Sequence, residues 1–129
     1  MPNIIIPISN GFEEIEAISI IDICRRANIK VTIAGVEALE ITGAHGIKII
    51  SDEKIENISS DDFDMIVLPG GLPNAFTLAE NSKVQSLLKE FKNKNIEPLF
   101  ILHEDYTSRF IKPFTGLFIG KNYVANQNA

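Results

Sequence analysis

The sequence predicts an α/β fold, with a mostly parallel sheet and helices on both of its faces. Three observations predict it. Short aliphatic runs, Ile4-Ile5-Ile6-Pro7-Ile8 foremost, are apolar at consecutive positions, as strands buried on both faces are. Helical patterns alternate with these runs, the order that builds strand–helix–strand units. The run Met65-Ile66-Val67-Leu68 then leads directly into Pro69-Gly70-Gly71, a break at the carboxyl end of a strand.

The elements follow in order. Ile4 to Ile8 is the first strand. A helix is expected from Gly11 to Asn28, capped by Asn10 with Glu13 at the capping-box position. At about 100° per residue, Glu16, Ile20, Ile23, Cys24 and Ala27 share an arc that should face the core. Lys30 to Ala34 is the second strand. Leu39 to Thr42 and Ile47 to Ile50 read as a hairpin around Gly43-Ala44-His45-Gly46. Residues 51–60 are mixed. Met65 to Leu68 is a buried strand. A helix follows from Asn81 to Lys92, with Val84, Leu87, Leu88 and Phe91 as its apolar stripe. Leu99 to Leu102 reads as the next strand. Beyond it, Ser108 to Lys112 is expected as a helical turn, Leu117 to Val124 as a last strand, and 126–129 as a polar tail.

Composition bounds the function. The 129 residues fit one domain, and 45% of them are hydrophobic, enough for a core. The net charge is −5 with no basic run, which argues against nucleic acid and anionic membrane. No apolar stretch is long enough for a bilayer span, and the start has no signal-peptide pattern. A single cysteine, Cys24, permits no intrachain disulfide, which fits a reducing cytoplasm.

In parallel sheets the site lies beyond the carboxyl ends of the strands. Three features fall at that edge: the 8–16 segment, Pro69-Gly70-Gly71, and His103 after Leu102. Glu16 is an acid on an apolar arc, so it is either a rim residue or an acid held for chemistry. Burial would favour its neutral form. Gly70 and Gly71 form either a plain turn or a pair of backbone amides close to a ligand, as in an oxyanion hole. There is no phosphate-binding glycine motif. Glu13 and Glu14 read as ordinary first-turn acids at the positive end of a helix. Cys24 reads as a structural cysteine inside a helix. His103-Glu104-Asp105 offers a base or metal ligands by residue type, but adjacent residues seldom converge on one ion, so no metal site and no cofactor is expected. His45, in a Gly-flanked turn, is expected to be exposed.

Together, the segments Pro7 to Glu16, Ile21 to Gly35 and Asp64 to Pro73 resemble the ThiJ/PfpI family, within the class I glutamine amidotransferase-like superfamily. The resemblance runs through residues 1–96. It implies a flavodoxin-like three-layer sandwich, frequent dimerisation, and activity of the cofactor-independent glyoxalase or protein deglycase type on small aldehydes, with peptidase-like relatives. It maps the family's site acid onto Glu16 and its carbonyl-facing amides onto Gly70 and Gly71. Ala44-His45-Gly46 falls where the family often has Ser-Arg-Gly.

The sequence departs from that pattern at the nucleophile. The family places a cysteine after a strand reading roughly Ala-Ala-Ile; here the stretch is Glu97-Pro98-Leu99-Phe100-Ile101-Leu102-His103, and no Cys, Ser or Thr occurs from Glu97 to Tyr106. Family-like sequence returns at Gly116 to Tyr123. The expectation is a single, incomplete domain over 1–129, lacking C-terminal elements and catalytically impaired. Two alternatives stand beside it: a noncatalytic binding or self-association module, and an enzyme using His103 with Glu16.

Overall fold

The computed structural model describes residues 2–100. Its frame is a five-stranded sheet in the order β5-β2-β1-β6-β7, with every neighbouring pair parallel. The strands are β1 (Asn3–Ile8), β2 (Lys30–Gly35), β5 (Glu53–Lys54), β6 (Met65–Leu68) and β7 (Leu99–Phe100). β1 runs along the whole of β2, from Asn3 opposite Lys30 to Ile8 opposite Gly35. A separate antiparallel hairpin joins β3 (Glu40–Thr42) to β4 (Lys48–Ile50). The helices are α1 (Glu14–Arg26), α2 (Asn74–Glu80) and α3 (Ser82–Asn93).

The period of two along each strand divides the core into two layers. Ile5, Ala34, Ile66 and Leu68 point to one face and pack with Ala75 and Leu78 of α2 and Val84, Leu87, Leu88 and Phe91 of α3. Ile4, Ile6, Ile8, Val31, Ile33 and Val67 point to the other, against Ala17 and Ile21 of α1. Helices therefore cover both faces, as the run of consecutive apolar positions in β1 predicts. α3 carries the apolar stripe read from its spacing, and Asn81 caps it by accepting from the Val84 N–H at 3.0 Å.

Helix α1 differs from its expectation in three ways. It begins at Glu14, not Gly11, because Gly11 has φ +88°. Asn10 is not its cap; the Asn10 side chain accepts instead from the Thr42 N–H at 2.9 Å. Its buried stripe is Glu14, Ala17 and Ile21, about a quarter turn from the predicted arc at 100° per residue. Ile23 is 64% exposed and Ala27 is exposed, while Glu16, Ile20 and Cys24 are half-buried. The sequence misleads here because α1 carries isoleucines at 15, 18, 20, 21 and 23, nearly all round, so periodicity selects no single face.

Helix α2 is an element the sequence reading lacked. Residues 51–60 resolve into β5 and short 3₁₀ turns at Ile55–Asn57 and Ser60–Asp62. Of the strand expected at Leu99 to Leu102, the first two residues form β7. His103, the turn at 108–112, the strand at 117–124 and the tail lie outside the described residues.

Candidate functional site

The segment after β1 and the loop after β6 meet backbone to backbone at the carboxyl edge of the sheet. Two glycines permit the contact. A Cβ on Gly11 would strike the Leu72 carbonyl and the Pro73 ring, and one on Gly71 (φ +104°) would strike the Gly11 carbonyl and the Glu13 nitrogen. With no side chains between them, the Glu13 N–H donates to the Gly70 carbonyl at 3.0 Å.

Asn74, the first residue of α2 and fully buried, ties the same two segments together. Its Oδ1 accepts from the Ser9 N–H at 2.8 Å and from the Ser9 hydroxyl at 3.0 Å. Its Nδ2 donates to the Pro69 carbonyl at 2.8 Å and to the Gly70 carbonyl at 3.2 Å.

Glu16 lies in the first turn of α1 and reaches this edge. Its Oε1 accepts from the Gly70 N–H at 2.9 Å. Of the two amides expected to face a ligand, the Gly70 N–H is thus directed at Glu16. The Gly71 N–H has no acceptor among the described residues. Glu16 is half-buried and bonded to the loop after β6.

Glu14 overturns its expectation. It does lie in the first turn of α1, but it is not an ordinary acid there: it is 4% exposed, packed under the β3–β4 hairpin. That hairpin is docked onto the 10–14 segment by bonds from the Gly11 N–H to the Thr42 carbonyl (2.9 Å) and from the Ala44 N–H to the Phe12 carbonyl (2.8 Å). Glu14 Oε2 accepts from the backbone N–H groups of His45 (2.7 Å) and Ile47 (3.3 Å), and Oε1 lies 2.9 Å from His45 Nδ1. Burial pushes the Glu14 carboxyl up. The His45 ring and the Glu14, His45 and Ile47 amides outweigh that and bring its pKa down to about 2.

His45 is exposed as expected, at 69% of its side chain, but it is not idle. The hydrogen bond to Glu14 raises its pKa above 6.5, as do the charges of Glu13 and Glu14, and partial desolvation opposes them only weakly. Its Nδ1 is 3.5 Å from Glu13 Oε1. Glu13, Glu14 and His45 are also the described set whose donor atoms, all within 4.8 Å of one another, could hold a divalent cation. When protonated, His45 supplies a positive charge between the two carboxylates.

Cys24 lies elsewhere. It is eight residues beyond Glu16 on α1, about 12 Å along the axis. There it borders an apolar groove with Ile20, Ile23, Met65, Val67 and Leu99. Sequence reasoning missed Asn74 and the role of Glu14. The adjacent acids Glu13-Glu14 and the Gly-flanked His45 were visible signals, but nothing local links residues 31 apart in the chain. No helix among the described residues is long and apolar enough to cross a membrane.

Comparison with known proteins matches residues 2–100 to the model of the DJ-1/PfpI family. Protein DJ-1 homolog B of Arabidopsis thaliana is 36% identical over 95 residues, covering 73% of this chain and 22% of that protein. The glutathione-independent glyoxalase DJR-1.2 of Caenorhabditis elegans is 35% identical over 77 residues, 60% of this chain and 41% of that one. The crystal structure of Drosophila melanogaster DJ-1beta superposes with a TM-score of 0.73 at 32% identity, covering 77% of this chain and 54% of that chain. The chain spans less than half the length of these curated relatives.

Proposed function

The chain belongs to the DJ-1/PfpI family, and from that premise we propose that its sheet edge is a recognition site for small aldehydes, of the glyoxalase and deglycase type, with thiol-dependent turnover impaired. The observation that carries the reading is the Glu16–Gly70 pair at 2.9 Å beside the Gly71 amide. An acid and a backbone N–H at one strand end suit a carbonyl: the Gly71 amide donates to the carbonyl oxygen, and the Glu16 carboxyl group exchanges a proton with it. One relative carries the name of a glutathione-independent glyoxalase, which supports the substrate class.

The impairment rests on the thiol. Attack on an aldehyde carbon at neutral pH needs an activated nucleophile within bonding reach. The only cysteine in this sequence, Cys24, is two helical turns from Glu16 in an apolar groove. Incubation of purified protein with methylglyoxal tests the reading. No lactate should form above the level given by Glu16→Gln. Robust turnover that survives Cys24→Ala and is lost in Glu16→Ala would overturn it. Loss of such turnover in His103→Ala would favour the His103–Glu16 enzyme instead.

One observation favours a second property. α1 leaves Ile15 77% exposed, with Ile23 and Ile18 also open to solvent. Self-association over this helix would cover them, and light scattering should then give a dimer mass that Ile15→Lys reduces to a monomer. A cytoplasmic location completes the proposal, since the single thiol needs no oxidising compartment.

A further inference from the structure

We propose that Asn74 is the positioning residue of the Glu16–Gly70 site, its carboxamide fixing the Pro69–Gly70 peptide so that the Gly70 N–H faces Glu16. The inference starts from what glycine lacks. Gly70 and Gly71 have no Cβ, so local preference does not hold the peptides on either side of Gly70 in one orientation. Their partners must do it.

The Pro69–Gly70 peptide is trans, so its carbonyl and its N–H point in opposite directions. Asn74 Nδ2 holds the carbonyl side at 2.8 Å, and Glu16 Oε1 takes the N–H side at 2.9 Å. The peptide is clamped between the two side chains. The second hydrogen of Nδ2 goes to the Gly70 carbonyl, which also accepts from the N–H of Glu13, the residue just before α1. The Gly71 N–H, on the far side of that next peptide, is thereby turned away from Asn74. Both lone pairs of Oδ1 are used by Ser9 at the end of β1. A primary amide has two donor hydrogens and two acceptor lone pairs, and here all four are engaged.

Other side chains do not satisfy this set. Aspartate keeps the acceptor for Ser9 but sets a negative charge against two carbonyl oxygens. Serine offers one short hydroxyl. Glutamine adds a methylene where Asn74 has no free space, at zero exposure.

The functional meaning of the clamp rests on the carbonyl-site reading, but its test does not need turnover, so the two fail separately. The Gly70 amide is followed by ¹⁵N–¹H correlation spectra of labelled full-length protein. In the native background, Glu16→Gln should shift the Gly70 amide proton more than any other glycine. In Asn74→Asp, which retains the Ser9 acceptor, the same Glu16→Gln change should leave the Gly70 resonance nearly unmoved. An equal shift in both backgrounds overturns the proposal and leaves Asn74 as a loop staple, whatever it does to the melting temperature. Should Asn74→Asp fail to fold, amide exchange in the native protein decides. Gly70 exchanging as slowly as the Ile5 and Ile66 amides supports the clamp, and exchange at the rate of the Gly46 turn overturns it.

Discussion

Two glycines with nearly the same backbone angle give the sharpest test of how this edge is built. Gly11 has φ +88° and Gly46 has φ +87°. Alanine at either position must adopt a left-handed conformation, which costs about 1–2 kcal/mol. Reduced freedom of the unfolded chain returns about 0.4–1 kcal/mol. Gly46→Ala has open space around the new methyl and should lose only about 0.5–1 kcal/mol on those figures. Gly11→Ala drives its methyl into the Leu72 carbonyl and the Pro73 ring, neither of which is a flexible side-chain end. Overpacking of that kind adds about 1–3 kcal/mol, for a total of about 1.5–4 kcal/mol. That is a large part of the stability of an ordinary domain. Urea denaturation followed by circular dichroism measures both, provided the m-values agree with the native protein. Gly11→Ala should also move the Gly70 amide resonance, because the 9–13 segment must lift from the 69–73 loop. Losses within about 0.5 kcal/mol of each other would refute the backbone-contact account, since only the collision separates the two sites.

Three further outcomes are expected. The His45–Glu14 clasp should be strongest between pH 4.5 and 6.5. The raised His45 pKa contributes stability below 6.5 that is lost as pH rises through its folded value. The lowered Glu14 pKa contributes stability above 4.5 that is lost as pH falls towards about 2. An NMR titration of the His45 ring should show a midpoint above 6.5 that returns towards 6.5 in Glu14→Gln, and a midpoint unmoved by that change would count against the pairing. Asn81→Ala removes the cap of α3 and should cost about 1 kcal/mol by thermal or urea unfolding, whereas Asn10→Ala should not shorten α1, because Asn10 caps no helix.

The parts of the fold that were legible are those where one local pattern admits one answer. β1, β2 and β6 are short aliphatic runs bounded by polar or glycine residues, and they form where the sequence places them. α3 has a single apolar stripe and a capping Asn81, so its face and its start are both fixed locally. α1 was legible as a helix but not in its orientation, because isoleucine surrounds it. Its start lies just after Gly11, which combines a positive φ with a close approach to Leu72 and Pro73 some sixty residues away. α2 was hidden because Asn74-Ala75-Phe76-Thr77 carries no strong helical period.

The site divides the same way. Gly70, Gly71 and Glu16 stand out in the sequence by residue type, position and resemblance, and the fold brings them together. What the sequence by itself determined is the α/β order, the family, and the absence of a thiol between Glu97 and Tyr106, since these depend on residue identity and local period. Only the tertiary structure decided that Glu14 rather than Glu16 is the deeply buried acid, that His45 closes over it, and that Asn74 holds the glycine peptide. Each of these is a hydrogen bond between distant segments, and its partner is chosen by the packing of the whole sheet edge.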